Sequence, residues 1–220
     1  MWIVTFIPLI VTLLVINYLP DTVPMHYDVQ GNIDRWGSKY EQFILPIVTI
    51  AMSLFMQLMI NYYEKLVKKS EDEKKKAELE SNINVLYIVS IATTVMFLGL
   101  QCAFLYQAWE ATPDIKMQTV DINKVASILI GILLVIGGNY MPKTKPNSLV
   151  GFRLPITMKS DENWKKANRF AGIVLAITGI IVVILALIFE GYLAMVSTMM
   201  VILLSLVVCM MYAKWMERNE

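Results

Sequence analysis

Few side chains in these 220 residues could do chemistry, and most of them fall in two polar stretches set between long apolar runs. The first, LPDTVPMHYDVQGNIDRWGSKYEQF, carries the chain's one histidine, His26, close to Asp28 and Asp34. An imidazole beside two carboxylates can move a proton or hold a metal. The same groups can also form a surface hydrogen-bonding cluster with a structural or partner-contact role. Pro20 and Pro24 oppose a helix here, Met25, Tyr27 and Val29 alternate as in a short extended piece, and Gly31-Asn32 marks a turn, so a small hairpin-like cap is expected. Arg35, Trp36, Gly37 and Ser38 follow, suited to resting on lipid headgroups.

The second stretch runs from Asn139 to Arg169, NYMPKTKPNSLVGFRLPITMKSDENWKKANR, with three prolines and seven Lys/Arg. That is more specific chemistry than a tether between neighbouring helices needs. Pro142, Pro146 and Pro155 fix the local chain direction, and Gly151 permits a tight approach. Arg153 offers a planar fork of donors suited to a carboxylate or phosphate. Ser160-Asp161-Glu162-Asn163 reads as a helix start, after which Trp164, Lys165, Lys166 and Arg169 are expected to form an interfacial helix. Three readings stay open for this segment: an elbow gripping anionic lipid heads, a docking surface for a protein or peptide, and catalysis. No nucleophile with a base at helical spacing appears, which weighs against catalysis.

The elements positioning both stretches are membrane helices. Hydrophobic residues make up 57% of the chain and the mean hydropathy is +0.58, well above a soluble domain. A span needs about 20 mostly apolar residues. Six runs qualify, Trp2–Leu19, Phe43–Tyr63, Asn84–Tyr106, Ile122–Tyr140, Phe170–Phe189 and Tyr192–Ala213, the last two joined through Glu190-Gly191. The expected class is an all-α integral membrane protein of six transmembrane helices. No cleavable signal peptide is expected, and Cys102 and Cys209 imply no disulfide framework because both fall in apolar runs.

Orientation follows from basic residues. Fifteen Lys/Arg lie in 64–82, 141–169 and the tail, against four (Arg35, Lys39, Lys116, Lys124) on the other side, which places both termini in the cytoplasm and the His26 loop outside. The chain then divides into 1–63, the first two helices with the outward His/Gly/Asp loop; 64–82, a charged cytoplasmic loop expected to extend the flanking helices through pairs such as Glu64/Lys68 and Glu71/Lys75; and 83–220, four helices with the elbow 139–169. Pro113-Asp114 marks the second outward turn. Gly172, Ala176 and Gly179 share a face of the fifth span while Gly131, Gly137 and Gly138 mark the fourth, so these two helices are expected to approach closely. No ionisable residue lies well inside a span, which opposes an ion-coupled pump.

Residues 138–172, GNYMPKTKPNSLVGFRLPITMKSDENWKKANRFAG, resemble the SdpI-type immunity protein family, whose signature runs Gly-Asn, Pro-Lys, Pro-Asn, Gly-x-Arg-x-Pro and then a Trp with basic residues. The first outward loop is similar to the short domain of unknown function that often precedes it. Ile156 stands where an aromatic is expected, and Ala167 replaces a hydroxyl residue. The resemblance implies a multi-pass protein of the bacterial plasma membrane that protects its host from a secreted toxin peptide, acts neither as an enzyme nor on nucleic acid directly, uses no cofactor, and in some relatives holds a cytoplasmic transcriptional repressor at the bilayer. It implies partner contacts through Pro24, His26, Asp28, Gly31, Asp34 and Gly37 outside, and through Asn139, Pro142, Asn147, Gly151, Arg153, Pro155, Trp164 and Arg169 inside. A small exporter of peptide or lipid is the main alternative, with a lipid-modifying enzyme behind it.

Overall fold

A computed structural model describes residues 1–28, 30–112, 116–147 and 149–219. Six α-helices follow in order: α1 (Trp2–Val15), α2 (Ile44–Lys69), α3 (Glu73–Trp109), α4 (Ile122–Tyr140), α5 (Asp161–Ile188) and α6 (Tyr192–Arg218). The hairpin expected after the first helix is present as β1 (Thr22–Tyr27) and β2 (Ile33–Ser38), antiparallel. Among the described residues, the helical segments containing α2 to α6 are long and apolar enough to cross a membrane. At 1.5 Å per residue the 14 residues of α1 rise about 21 Å, and the short 3-10 turn Ile16–Tyr18 continues its line. The protein is thus an all-α membrane protein capped by one hairpin.

The helices form two groups of three. In the first, α1 packs on α2 and α3; in the second, α5 packs on α4 and α6; the groups meet chiefly along α3 and α4. Between α4 and α5 the expected close approach is present. A Cβ on Gly138 would lie 2.5 Å from the Gly172 carbonyl, and one on Gly131 would lie 2.8 Å from that of Gly179. Both neighbours are backbone, so these positions admit no side chain without separating the helices. Gly137 differs: a Cβ there would meet Leu175 at an ordinary 3.7 Å.

The segment 64–82 is helical nearly throughout, as expected, with Ser70–Asp72 as its only break. Asp72 caps α3, accepting from the Lys74 and Lys75 amides. Glu71 precedes that cap and so has no helical i+4 partner in Lys75; the ion pair formed there is Glu73–Lys76 at 3.7 Å. The expected turn at Pro113-Asp114 and the place of Val29 in the alternation lie outside the described residues.

Candidate functional sites: the hairpin and the elbow

The hairpin registers Thr22 with Ser38, Val23 with Gly37, Pro24 with Trp36, His26 with Arg35 and Tyr27 with Ile33, so Met25 and Asp34 are each extra residues on their strands. A bulge re-aims a side chain. Here the bulged Asp34 places its carboxylate 2.6 Å from the His26 ring Nδ1, and both groups remain largely exposed. Asp28 does not join them. Its Oδ1 accepts from the Gln30 and Asn32 amides and its Oδ2 from the Asn32 side chain, closing the turn in which Gly31 takes φ +84°. The Asn32 side-chain bond, with the turn amides, holds the Asp28 carboxyl below the usual carboxylate range. The His26, Asp28, Asp34 group is therefore a pair plus a turn residue, and no three His, Cys, Asp or Glu side chains converge as a metal set among the described residues.

The hairpin is anchored at both ends. At its tip the Ile33 amide donates to the Lys116 carbonyl and the Gln118 amide to that of Gly31, each at 2.9 Å. Gly31 is favoured there by its φ of +84°, and a Cβ would also press on the Gln118 side-chain nitrogen at 2.8 Å. At its base Glu41 accepts from the Ser38 amide and from Arg35, and a Cβ on Gly37 would collide with Glu41 and Met25. Lys39 pairs with Asp21 at 3.0 Å. Burial pushes the Tyr27 phenol up to about 12 against the opposing bond to Gln107. Beneath the hairpin a cavity of about 230 Å³, largely apolar, is lined by Pro24, Met25, Tyr27, Glu41, Leu45 and Phe104 among others.

The elbow is built around Trp164. The sequence places this residue at the membrane interface; in the structure it is 1% exposed, because α5 is one continuous helix from Asp161 and turns Trp164, Ala167, Asn168 and Ala171 to the same inner face. Its indole N–H donates to the Thr144 carbonyl at 2.9 Å. Gly151, at φ +137°, lies flat against the indole: a Cβ would meet Trp164 at 2.6 Å and Asn168 Oδ1 at 2.8 Å. Asn168 accepts from the Phe152 amide at 2.7 Å, and Asn147, fully buried, accepts from the Leu149 and Val150 amides while donating to the Lys145 carbonyl. Thr157 accepts from the Leu154 amide, Asn163 donates to the Ile156 carbonyl, and Ser160 caps α5 as its sequence suggests.

The candidate residues thus sort by depth. Asn147 and Trp164 are interior, half-buried Gly151 lies against the indole, and all three shape the elbow, while Pro142 rests on Gly172. Asn139, Arg153, Pro155 and Arg169 are exposed and form the surface that shape presents. Lys166 pairs with Glu162 at 2.7 Å, which lowers the Glu162 carboxyl from its usual range.

The structure adds a polar seam between α1, α2 and α3. Trp2 Nε1 donates to Gln57 at 3.2 Å, Thr5 to Ser53 at 2.9 Å, and Gln101 Nε2 to Thr12 at 2.9 Å and to the Gln42 carbonyl at 3.1 Å. Of these, only Gln57 and Gln101 stand out in the sequence, since single Ser and Thr residues scattered through apolar runs do not lower a hydropathy average. Their helical spacing on facing surfaces was the available signal.

Known proteins agree with the sequence resemblance. Residues 143–213 match the model of the SdpI/YfhL protein family, and residues 3–50 match a domain of unknown function (DUF1648). The chain is 27% identical to the immunity protein SdpI of Bacillus subtilis (strain 168), over 91% of its own length and 86% of that protein's. It is also 27% identical to an uncharacterized protein of Archaeoglobus fulgidus, over 43% of this chain and 60% of the relative. No solved structure matches. Length, apolarity and these matches identify a bacterial multi-pass membrane protein. The elbow with α5 and most of α6 holds the match to the SdpI/YfhL family, α1 with the hairpin holds the match to DUF1648, and the chain is similar to the SdpI immunity protein in nearly its whole length.

Proposed function

We propose that this protein protects its host cell against a secreted antimicrobial peptide. All six helices span the bacterial plasma membrane, with both termini in the cytoplasm. The hairpin meets the peptide outside, through the exposed His26–Asp34 pair and the cavity beside it; the elbow faces inward, where its exposed Arg153 and Arg169 serve as a landing surface for a cytoplasmic transcriptional repressor. The observation carrying this reading is the alignment with an immunity protein over nearly the whole of both chains. The geometry supports it in two respects. The outer hairpin is a rigid, doubly anchored surface next to an apolar recess of side-chain size, and the side chains at the heart of the elbow are committed to holding its shape rather than poised as acid and base.

A toxin-sensitive strain expressing the chain is challenged with peptides encoded near its gene. Protection raises the tolerated dose, and His26→Ala or Arg153→Ala lowers that gain at equal expression. If both variants protect fully, the assigned surfaces are wrong. If the intact protein protects against none of the peptides, the immunity reading fails.

A further inference from the structure

Midway along the polar seam, α2 and α3 enclose a cavity of about 10 Å³ lined by Thr49, Ser53, Ser90, Thr93 and Thr94, with Met52, Met56 and Phe97. Free space of that order accommodates about one water molecule, provided two to four polar partners surround it. Thr49, Ser53, Ser90 and Thr94 are each 3% exposed or less. Their hydrogens are distributed unevenly. Thr49 donates to the Leu45 carbonyl and Thr94 to the Ser90 carbonyl, both at 2.8 Å, so each keeps only lone pairs for a further partner. Thr5 stands 2.9 Å from Ser53 and 3.3 Å from the Met1 carbonyl; with its one hydrogen on the shorter bond, Ser53 keeps its own hydrogen, and the Ser90 hydroxyl has no partner at all. An unpaired hydroxyl at membrane depth costs about 1–3 kcal/mol.

We propose that this cavity binds a single water molecule that joins α2 to α3. It accepts from the Ser53 and Ser90 hydroxyls and donates to Thr49 Oγ1 and Thr94 Oγ1, two bonds of each kind and two on each helix. Water is the ligand this set fits. A sodium ion would find only neutral hydroxyl oxygens here, and no carboxylate lines the cavity to offset its charge. A lipid tail would satisfy none of the four hydroxyls.

The test is radiolytic footprinting of the full-length protein in lipid nanodiscs. Hydroxyl radicals born from a bound water oxidise the side chains touching it, and Met52 and Met56 touch this cavity. Met199 and Met200, more than half exposed on the lipid-facing side of α6, report the background inside the bilayer. The expected result is oxidation of Met52 and Met56 several-fold faster than of Met199 and Met200, carrying ¹⁸O after dilution into H2¹⁸O, and a fall to the background rate in Ser90→Val, which fills the space. Equal rates at all four methionines in the unaltered protein overturn the proposal, and this arm depends on no variant folding. Labelling that survives Ser90→Val also overturns it, by placing the water elsewhere. The sign of the Ser90→Ala effect on the melting temperature is a second arm: a bound water makes the variant less stable, whereas a dry site makes it equally or more stable and refutes the assignment.

Discussion

Trp164 is the residue on which the elbow's shape depends most measurably. Truncation to Ala removes a fully buried indole and, if the surroundings do not collapse, costs about 3–5 kcal/mol. Trp164→Phe is the more informative change. It keeps most of the apolar volume but deletes the donor to the Thr144 carbonyl, in a residue only 7% exposed, so a cost of about 1–3 kcal/mol follows from the orphaned acceptor alone. The same substitution removes the outer ring edge that faces Gly151. Gly151→Ala in the native background meets that edge at 2.6 Å and also holds a side chain at φ +137°; only the first penalty disappears when the ring is Phe. The two changes together should therefore cost less than their sum, by about 0.5–3 kcal/mol, the range for residues in contact. Reversible unfolding in mixed micelles with increasing SDS, followed by far-UV circular dichroism, measures all four corners of the cycle. A neutral Trp164→Phe, or strict additivity with Gly151→Ala, would refute the picture of an indole clamped between a carbonyl and a glycine.

Gly138→Ala should destabilise by about 1–3 kcal/mol in the same assay, since its Cβ meets only backbone of α5, whereas the adjacent Gly137→Ala should be close to neutral. Tyr27 stays protonated to about pH 12 in the folded state against 10 in the unfolded chain, so its burial contributes stability in full below pH 10 that is lost as pH rises from 10 toward 12. Ultraviolet difference titration at the phenolate band should show Tyr27→Phe removing one late-ionising tyrosine; loss of an early one instead would contradict the burial. Replacing Asp34 by Asn should lower peptide protection as much as His26→Ala does, with no further loss in the double variant, because the two side chains act as one pair. Full additivity in the survival assay would show independent roles.

Much of this architecture was legible from hydropathy and charge, because a bilayer imposes length and apolarity on every helix and these survive averaging. The hairpin was legible as well, from Pro20, Pro24 and Gly31-Asn32 breaking a run that could otherwise continue as helix. Three features were not. Trp164 reads as an interface residue because indole beside lysines usually sits there; its burial depends on Gly151 and Thr144, brought up by a chain reversal that no local pattern specifies. The bulge that sets Asp34 rather than Asp28 against His26 likewise depends on register, and a shift of one residue exchanges the two faces of a strand. The polar seam was hidden for a different reason: a hydroxyl changes the local hydropathy little, while its effect on packing depends on what faces it.

The hydrogen bonds between the hairpin tip and residues 116–118 set where the chain can be divided. By sequence matching the natural cut falls between the DUF1648 segment and the helices that follow, yet the hairpin closes its turn on backbone from beyond α3. At the same end of the bundle, Asp121 caps α4 and also accepts from the Gly191 amide between α5 and α6, so hairpin, α4 and the last loop form one linked collar. A fragment ending before residue 116 would carry the hairpin without the strand-like partner that fixes its tip, and a transplanted hairpin would need that partner to travel with it. Chimaeras that exchange the hairpin between relatives should therefore carry residues 116–118 with it.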